Sequence, residues 1–238
     1  MKIRVGVLVS KGKKTGEGHT KPYRAAVKVD GQQYAAIVKH LPLDTVLAEC
    51  VCAMVMRGWG LPVPEPVLIR EHGEWLFASL EVGYPNLKQR LGLHDGLPPD
   101  TQVLLTKYAA MIVCGWADAP RALAVDELIA NADRNLGNFL WDGVDHAYID
   151  HERTLGLAPH EHNIMVVLAE LAGKLDAMES GAVASALALD RSIPSEIESP
   201  EDVDFSGYVH YIEKRLGELP AKVLERFPQP DDLFAVKP

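Results

Sequence analysis

Cysteine is scarce, with three in 238 residues: Cys50, Cys52 and Cys114. An odd number, two of them one residue apart, fits neither a disulfide framework nor a zinc-ligand spacing and points to a reducing cytoplasm. Long apolar runs are missing as well. No segment approaches the roughly 18 apolar residues of a membrane span. The start, Met1 to Val9, carries too short an apolar run for a secretory signal. Basic residues are outnumbered, 24 Lys and Arg against 33 Asp and Glu, for a net charge of −9. That excludes broad nucleic-acid binding as an expectation, though it leaves room for a local basic patch. Internal repeats and low-complexity tracts are absent. Ser10, Ser79 and Ser180 sit in no Gly-x-Ser-x-Gly elbow, which removes the usual serine hydrolase. No Gly-Lys-Ser/Thr opens a helix, so there is no Walker A loop.

What is present is an ordinary folded composition, 47% hydrophobic and 24% charged. The length suits one large domain or two closely packed lobes. The first third reads as β-rich. Ile3 to Val9 is a strand, and Tyr23–Val29 and Gln33–Val38 form a hairpin about Asp30-Gly31, a strong turn signal. Asp44 is placed to N-cap a helix reaching about Arg57. That helix is apolar on nearly every face, with Glu49 the only charge between Thr45 and Met56, so it is expected to be buried and its carboxylate to need a cationic partner. An extended connector, Leu61 to Pro66, leads to a second hairpin, Val67–Ile69 and Trp75–Leu80 about His72-Gly73. Glu81 to Pro85 reads as a hinge. Beyond it helices are expected over Thr101–Trp116, Arg121–Ile129, about Glu161–Glu179, Ala182–Leu189, Tyr208–Leu216 and Ala221–Phe227. One hairpin interrupts them, Phe139–Trp141 and Ala147–Ile149 about Asp142-Gly143.

The chemistry concentrates around that hairpin. Asn131-Ala132-Asp133-Arg134-Asn135-Leu136-Gly137-Asn138 precedes it and Tyr148-Ile149-Asp150-His151 ends it. An Asp, an Asn five residues on and a second Asp a dozen residues later suit phosphoryl transfer. One carboxylate, Asp133, orients the attacking hydroxyl; the amide of Asn138 and the carboxylate of Asp150 hold Mg²⁺. The hairpin returns the chain and brings Asn138 near Asp150. Taken singly, Asp133 and Asn138 are equally good turn residues. Arg134 is open between binding phosphate and pairing with a nearby carboxylate. Lys39, ending a strand, and Glu49, inside the next helix, fit the lysine that contacts the α- and β-phosphates and the glutamate that holds it; the bland alternative is an edge lysine and a solvated glutamate. The loop Lys11 to Thr20, with Gly16 and Gly18, is suited to cover phosphates through backbone N–H groups, or is simply a basic loop. Glu81, opening the hinge, joins Lys39, Glu49, Gly16 and Gly18 as a nucleotide-binding candidate. His160-Glu161-His162 and His151 suggest a metal site, but the His-x-His spacing is common by chance and no third ligand is placed beside the pair.

Lys39, Glu49, Gly60-Leu61-Pro62-Val63-Pro64-Glu65-Pro66, the stretch Asn131 to Asn138 and Ile149-Asp150-His151 together resemble the compact HipA-like kinases. The wording Asp133-Arg134-Asn135 is also similar to the phosphatidylinositol 3-/4-kinases. The resemblance spans about Tyr23 to Leu155. It implies an α+β, protein-kinase-like two-lobe fold: a small antiparallel β-rich N-lobe over residues 1–82 and a mostly helical C-lobe over 83–238. It implies Asp133 as catalytic base, Asn138 and Asp150 as catalytic metal ligands, and ATP and Mg²⁺ as cofactors. There are departures. His151-Glu152-Arg153 replaces Phe-Gly after Asp150, and no Ala-Pro-Glu follows, so the peptide-docking segment of ordinary protein kinases is not expected.

The leading expectation is a cytoplasmic ATP- and Mg²⁺-dependent phosphotransferase acting on a hydroxyl. Protein Ser/Thr ranks ahead of a small molecule or lipid headgroup as acceptor, and the resemblance adds an antitoxin as candidate partner. A silent kinase-fold binding module is the alternative. A third reading is a metal-dependent hydrolase built on Asp133, Asp150, His151, His160 and His162, for which tightly bound zinc is the discriminating observation.

Overall fold

A computed structural model describes residues 1–15, 21–157 and 163–228. Strands β1 (Arg4–Lys14), β2 (Tyr23–Val29) and β3 (Gln32–Lys39) come first. Helix α1 (Leu43–Gly58) follows, then β4 (Pro66–Glu71) and β5 (Glu74–Leu80). The five strands close into a barrel in the order β1-β2-β3-β5-β4. The expected antiparallel pairing holds for β1–β2, β2–β3, β3–β5 and β4–β5. The last pairing is parallel: Arg4–Gly6 lie against Val67–Ile69, and this seam turns the sheet into a barrel.

Period-two patterning fixes which side chains fill it. Val27, Val29, Val38, Val67, Ile69, Leu76 and Ala78 point inward and are fully enclosed. Gly6 is needed where β1 crosses this interior, since a Cβ there would meet Val29 Cγ2 at 2.8 Å and the Lys28 carbonyl at 2.9 Å. Both hairpin turns have two central residues at positive φ, Asp30 (49°) with Gly31 (82°) and His72 (50°) with Gly73 (89°). That is the turn whose twist matches paired strands.

Helix α1 packs outside the barrel against Leu68 and Phe77 on one side and the helical part of the chain on the other. Enclosure on all sides explains why Val46 to Met56 is a continuous buried run. One expectation is corrected here. Asp44 lies within the first turn, and the N-cap is Pro42, with no side-chain cap bond. Pro42 has no N–H to satisfy, and its carbonyl accepts from Thr45 and Val46.

After the barrel come α2 (Leu87–Leu91), α3 (Pro99–Val113) and α4 (Ala119–Leu128). A 3₁₀ turn at Leu136–Asn138 leads into β6 (Phe139–Trp141) and β7 (His146–Tyr148). Helices α5 (Met165–Leu171), α6 (Leu175–Ala188), α7 (Ser206–Leu216) and α8 (Leu219–Leu224) complete the described chain. Sequence reading passes over α2, although Asn86 and Gln89 form a reciprocal capping box and Gly92 ends the helix in the left-handed region. The long helix expected to Glu179 breaks instead at Gly173 (φ 65°). The chain then runs helically through Ser180-Gly181, where a stop was expected. Gly181 is there because Pro120 of α4 presses on α6: a Cβ would lie 2.9 Å from Pro120 Cβ. No helix among the described residues is long and apolar enough to cross a membrane.

Candidate active site

Alternation on β3 turns Val38 into the barrel and Lys39 out of it, toward α1. Glu49 lies in the second turn of α1 and is completely buried. Lys39 Nζ donates to Glu49 Oε1 at 2.5 Å. The same ammonium reaches Asp150 Oδ1 at 2.7 Å and Glu152 Oε2 at 3.4 Å, just past β7. Residues 111 apart in sequence therefore meet at one cation. The other Glu49 oxygen accepts the His151 backbone N–H at 2.9 Å, with His151 Nδ1 3.6 Å away. His151 is itself buried, and its Nε2 has no partner in the described structure.

Charge balance follows from that arrangement. Burial alone would depress the Lys39 ammonium, but the carboxylates of Glu49, Asp150 and Glu152 outweigh it and hold the pKa well above the usual lysine range. Burial would raise the Glu49 carboxyl, yet Lys39 and His151 bring it down to about 2. Glu152 is pushed up, first by burial, with Asp150 and Glu49 adding to the effect and Lys39 opposing it. Asp150 stands at φ 68°, a left-handed conformation uncommon for a residue with a Cβ. Its two neighbours fix it there. The Ile149 carbonyl accepts Arg134 Nη1 at 2.8 Å, and the His151 N–H is held by Glu49.

Arg134 resolves toward the structural role. It is fully buried and forked on Asp126, Nε to Oδ2 at 2.9 Å and Nη2 to Oδ1 at 2.7 Å. Nη1 also reaches the Asn138 carbonyl at 3.3 Å. Asp126 further accepts from Asn131 Nδ2 at 2.8 Å and Asn163 Nδ2 at 3.1 Å. One carboxylate at the end of α4 thus ties down the whole loop from Asn131 to Asn138. Within that loop Asn138 Nδ2 donates to the Asp133 carbonyl at 2.6 Å, which leaves its amide oxygen as the remaining acceptor. Ile149 N–H donates to the Asn138 carbonyl at 3.1 Å, so Asn138 lies opposite Ile149 at the hairpin base, one residue before Asp150. The Asp133 side chain is one-third exposed at 33%, with Arg153 Nη1 3.9 Å from Oδ2.

Lys39, Glu49 and Asp150 are therefore brought together, and Asp133 and Asn138 are joined beside them. Glu81 is engaged elsewhere: its carboxylate pairs with Arg24 of β2, and its backbone N–H donates to the Ala35 carbonyl at 2.9 Å. Gly16, Gly18, His160 and His162 lie outside the described residues. Among the described residues one acidic group is close enough to share an ion, Glu49, Asp150 and Glu152, with ligand atoms within 4.8 Å of one another and no histidine. All three cysteines are free, and burial raises the thiols of Cys50 and Cys52. Sequence reasoning missed Asp126, Glu152 and Asn163. Asp126 carried a signal, an acid inside the apolar run Ala122 to Leu128; Glu152 and Asn163 carried none beyond position.

No family model matches the sequence, and no curated protein does. Solved structures do match. The kinase-type fold is shared with a Helicobacter pylori proinflammatory kinase, CtkA, at 13% identity and TM-score 0.53, over 91% of this chain and 93% of that one. It is shared also with HipA of Shewanella oneidensis MR-1, solved with HipB and operator DNA, at 14% identity and TM-score 0.57, over 91% of this chain and 66% of that one. The chain is similar in fold to HipA-like kinases.

Proposed function

We propose that this protein is an ATP- and Mg²⁺-dependent phosphotransferase that moves the γ-phosphate to a hydroxyl, with protein Ser/Thr the first choice of acceptor. The observation that carries the reading is the convergence of Lys39, Glu49 and Asp150 on one ammonium, from a barrel strand, a helix and the end of a hairpin. The donor set fits a nucleotide-bound hard cation. The amide oxygen of Asn138 and the carboxylate of Asp150 are the oxygens Mg²⁺ prefers, and three carboxylates around one ammonium leave a net deficit of positive charge. When bound, the metal supplies charge neutralisation to the triphosphate.

The chain's own residues supply the rest. Glu49 holds Lys39, whose ammonium binds phosphate oxygens. Asp133, partly open to solvent, accepts a hydrogen bond from the acceptor hydroxyl and aligns it for in-line attack. Arg134 and Asp126 fix the loop that carries Asp133 and Asn138. In this reading the barrel and α1, about residues 1–82, act as a nucleotide-covering lobe over the helical remainder, 83–238. The protein works in the cytoplasm, and an antitoxin-type protein is a candidate partner by likeness to the HipA structure solved with HipB.

One observation supports a silent binding module instead: Lys39 is already held by Asp150 and Glu152. Incubation with γ-labelled ATP and Mg²⁺, alone and with cell lysate, separates the two. Transfer of label that disappears in Asp133→Ala supports the kinase; nucleotide binding with no transfer by wild type to any substrate supports the module.

A further inference from the structure

Lys39 has more carboxylate partners than a nucleotide lysine needs. Glu49 alone anchors it, at 2.5 Å and fully buried. Asp150 and Glu152 contact it from the more open side, with side chains 31% and 18% exposed. The two acids leave from the same short turn, two residues apart in sequence. Asp150 has an assigned task in the proposed reaction, and Glu152 has none.

Consider what an incoming triphosphate meets. Three carboxylates and one ammonium make a nest of net charge −2 if all are ionised. A phosphate oxygen that is to reach Lys39 has to replace Asp150 or Glu152 at the ammonium. It does so against the repulsion of the acids it displaces. A divalent cation arriving with the phosphates cancels that repulsion and gives the displaced carboxylates a new counter-charge. Metal-free nucleotide receives no such help.

Resting on the phosphotransferase reading above, we infer that Glu152 is a positioning residue that holds Lys39 back from phosphate and so makes nucleotide binding depend on the divalent cation. The residue does not touch the reacting atoms; it acts through Lys39. Its removal frees one of the ammonium's donor positions and takes one negative charge from beside the phosphates. For unit charges roughly 5–6 Å apart and partly screened by water, that is worth about tenfold in affinity or more.

The test is ATP binding by calorimetry to the full chain, wild type against Glu152→Gln, once in EDTA and once in excess Mg²⁺. The expected result is about tenfold tighter binding in EDTA for the variant and a smaller gain from Mg²⁺ than wild type shows. A merely structural role would weaken binding in both conditions. Unchanged or weaker binding in EDTA overturns the inference. Glu152→Ala, checked for folding by circular dichroism, repeats the measurement without an amide at the site. A second readout needs no nucleotide: the acylation rate of Lys39 by a small amine-reactive ester, followed by peptide mass spectrometry. Faster acylation of Lys39 in Glu152→Gln is expected, and equal rates overturn the latch. If neither protein binds nucleotide at all, the phosphotransferase reading fails, and the acylation rates alone decide whether Glu152 restrains Lys39.

Discussion

Replacing Asp126 with alanine strands a buried guanidinium. Arg134 is completely enclosed and holds Asp126 through two parallel bonds of 2.9 and 2.7 Å. The carbonyls of Ile149 and Asn138 remain, at 2.8 and 3.3 Å, but they carry no compensating charge. Asn131 Nδ2 loses its acceptor in the same stroke, and Asn163 Nδ2 keeps only the Asn131 carbonyl at 3.5 Å. Breaking a buried pair by removing one partner costs about 3–5 kcal/mol. Against a total of about 5–15 kcal/mol for a folded domain, that is a large share. With a urea slope near 3 kcal/mol/M for a chain of this size, the midpoint falls by roughly 1–1.7 M. Urea unfolding of Asp126→Ala, followed by tryptophan fluorescence and circular dichroism together, measures it. The double variant Asp126→Leu/Arg134→Met sharpens the reasoning. With no charge left to bury, its stability should return most of the way, while nucleotide turnover stays low because the Ile149 carbonyl has lost the Arg134 donor and the Asn138 carbonyl keeps only the Ile149 N–H. A midpoint shift below about 0.3 M for Asp126→Ala, at unchanged slope, would refute the idea that this pair pins the loop.

Other outcomes follow from the same geometry. Lys39→Ala should abolish most nucleotide binding, and Glu49→Ala should weaken it less; wild-type affinity in Lys39→Ala removes that residue from the site. Asp150→Asn should lose the metal-dependent part of nucleotide binding, read as equal affinity with EDTA and with Mg²⁺. Asp133→Ala should keep ATP affinity within a few-fold and lower turnover by ~10²-fold or more, the scale of a positioned acid–base group; turnover at the wild-type rate discards it as the base. Glu49 adds a pH effect. Its folded pKa, about 2, lies below the ordinary glutamate value of 4.5, so the unfolded chain binds more protons between the two. Its stabilisation is complete above about pH 4.5 and is lost as pH falls toward 2. The stability gap between wild type and Glu49→Gln should therefore be flat above that window and shrink within it, and a gap that widens on acidification contradicts the assignment.

Much of this was readable from local pattern. Asp30-Gly31 and His72-Gly73 announced their hairpins because positive φ at two successive residues is a demand few dipeptides meet. The single charge between Thr45 and Met56 announced that Glu49 needs a cation, and Lys39 at the end of β3 was the nearest candidate. The spacing of Asp133, Asn138 and Asp150 about a tight hairpin pointed to phosphoryl-transfer chemistry. Where pattern misled, contacts between distant segments had decided the matter. Gly181 looked like a helix stop and is instead the gap that lets Pro120 of α4 approach α6.

By itself the sequence determined most strands and helices and the residue types that gather at the site, since these rest on period, turn chemistry and spacing within a few residues. The exception among the strands is β1, expected to end at Val9 with a loop from Lys11, which pairs with β2 as far as Lys14. Only the tertiary structure decided that β1 lies parallel to β4 and closes the barrel, because that pairing joins segments some sixty residues apart with no turn to signal it. It decided that Arg134 is spent on Asp126 and that Glu81 is engaged by Arg24. It decided too that Glu152 shares Lys39 with Glu49 and Asp150. An ion pair is chosen by which charges are buried within reach of one another, and reach is a property of the folded chain alone.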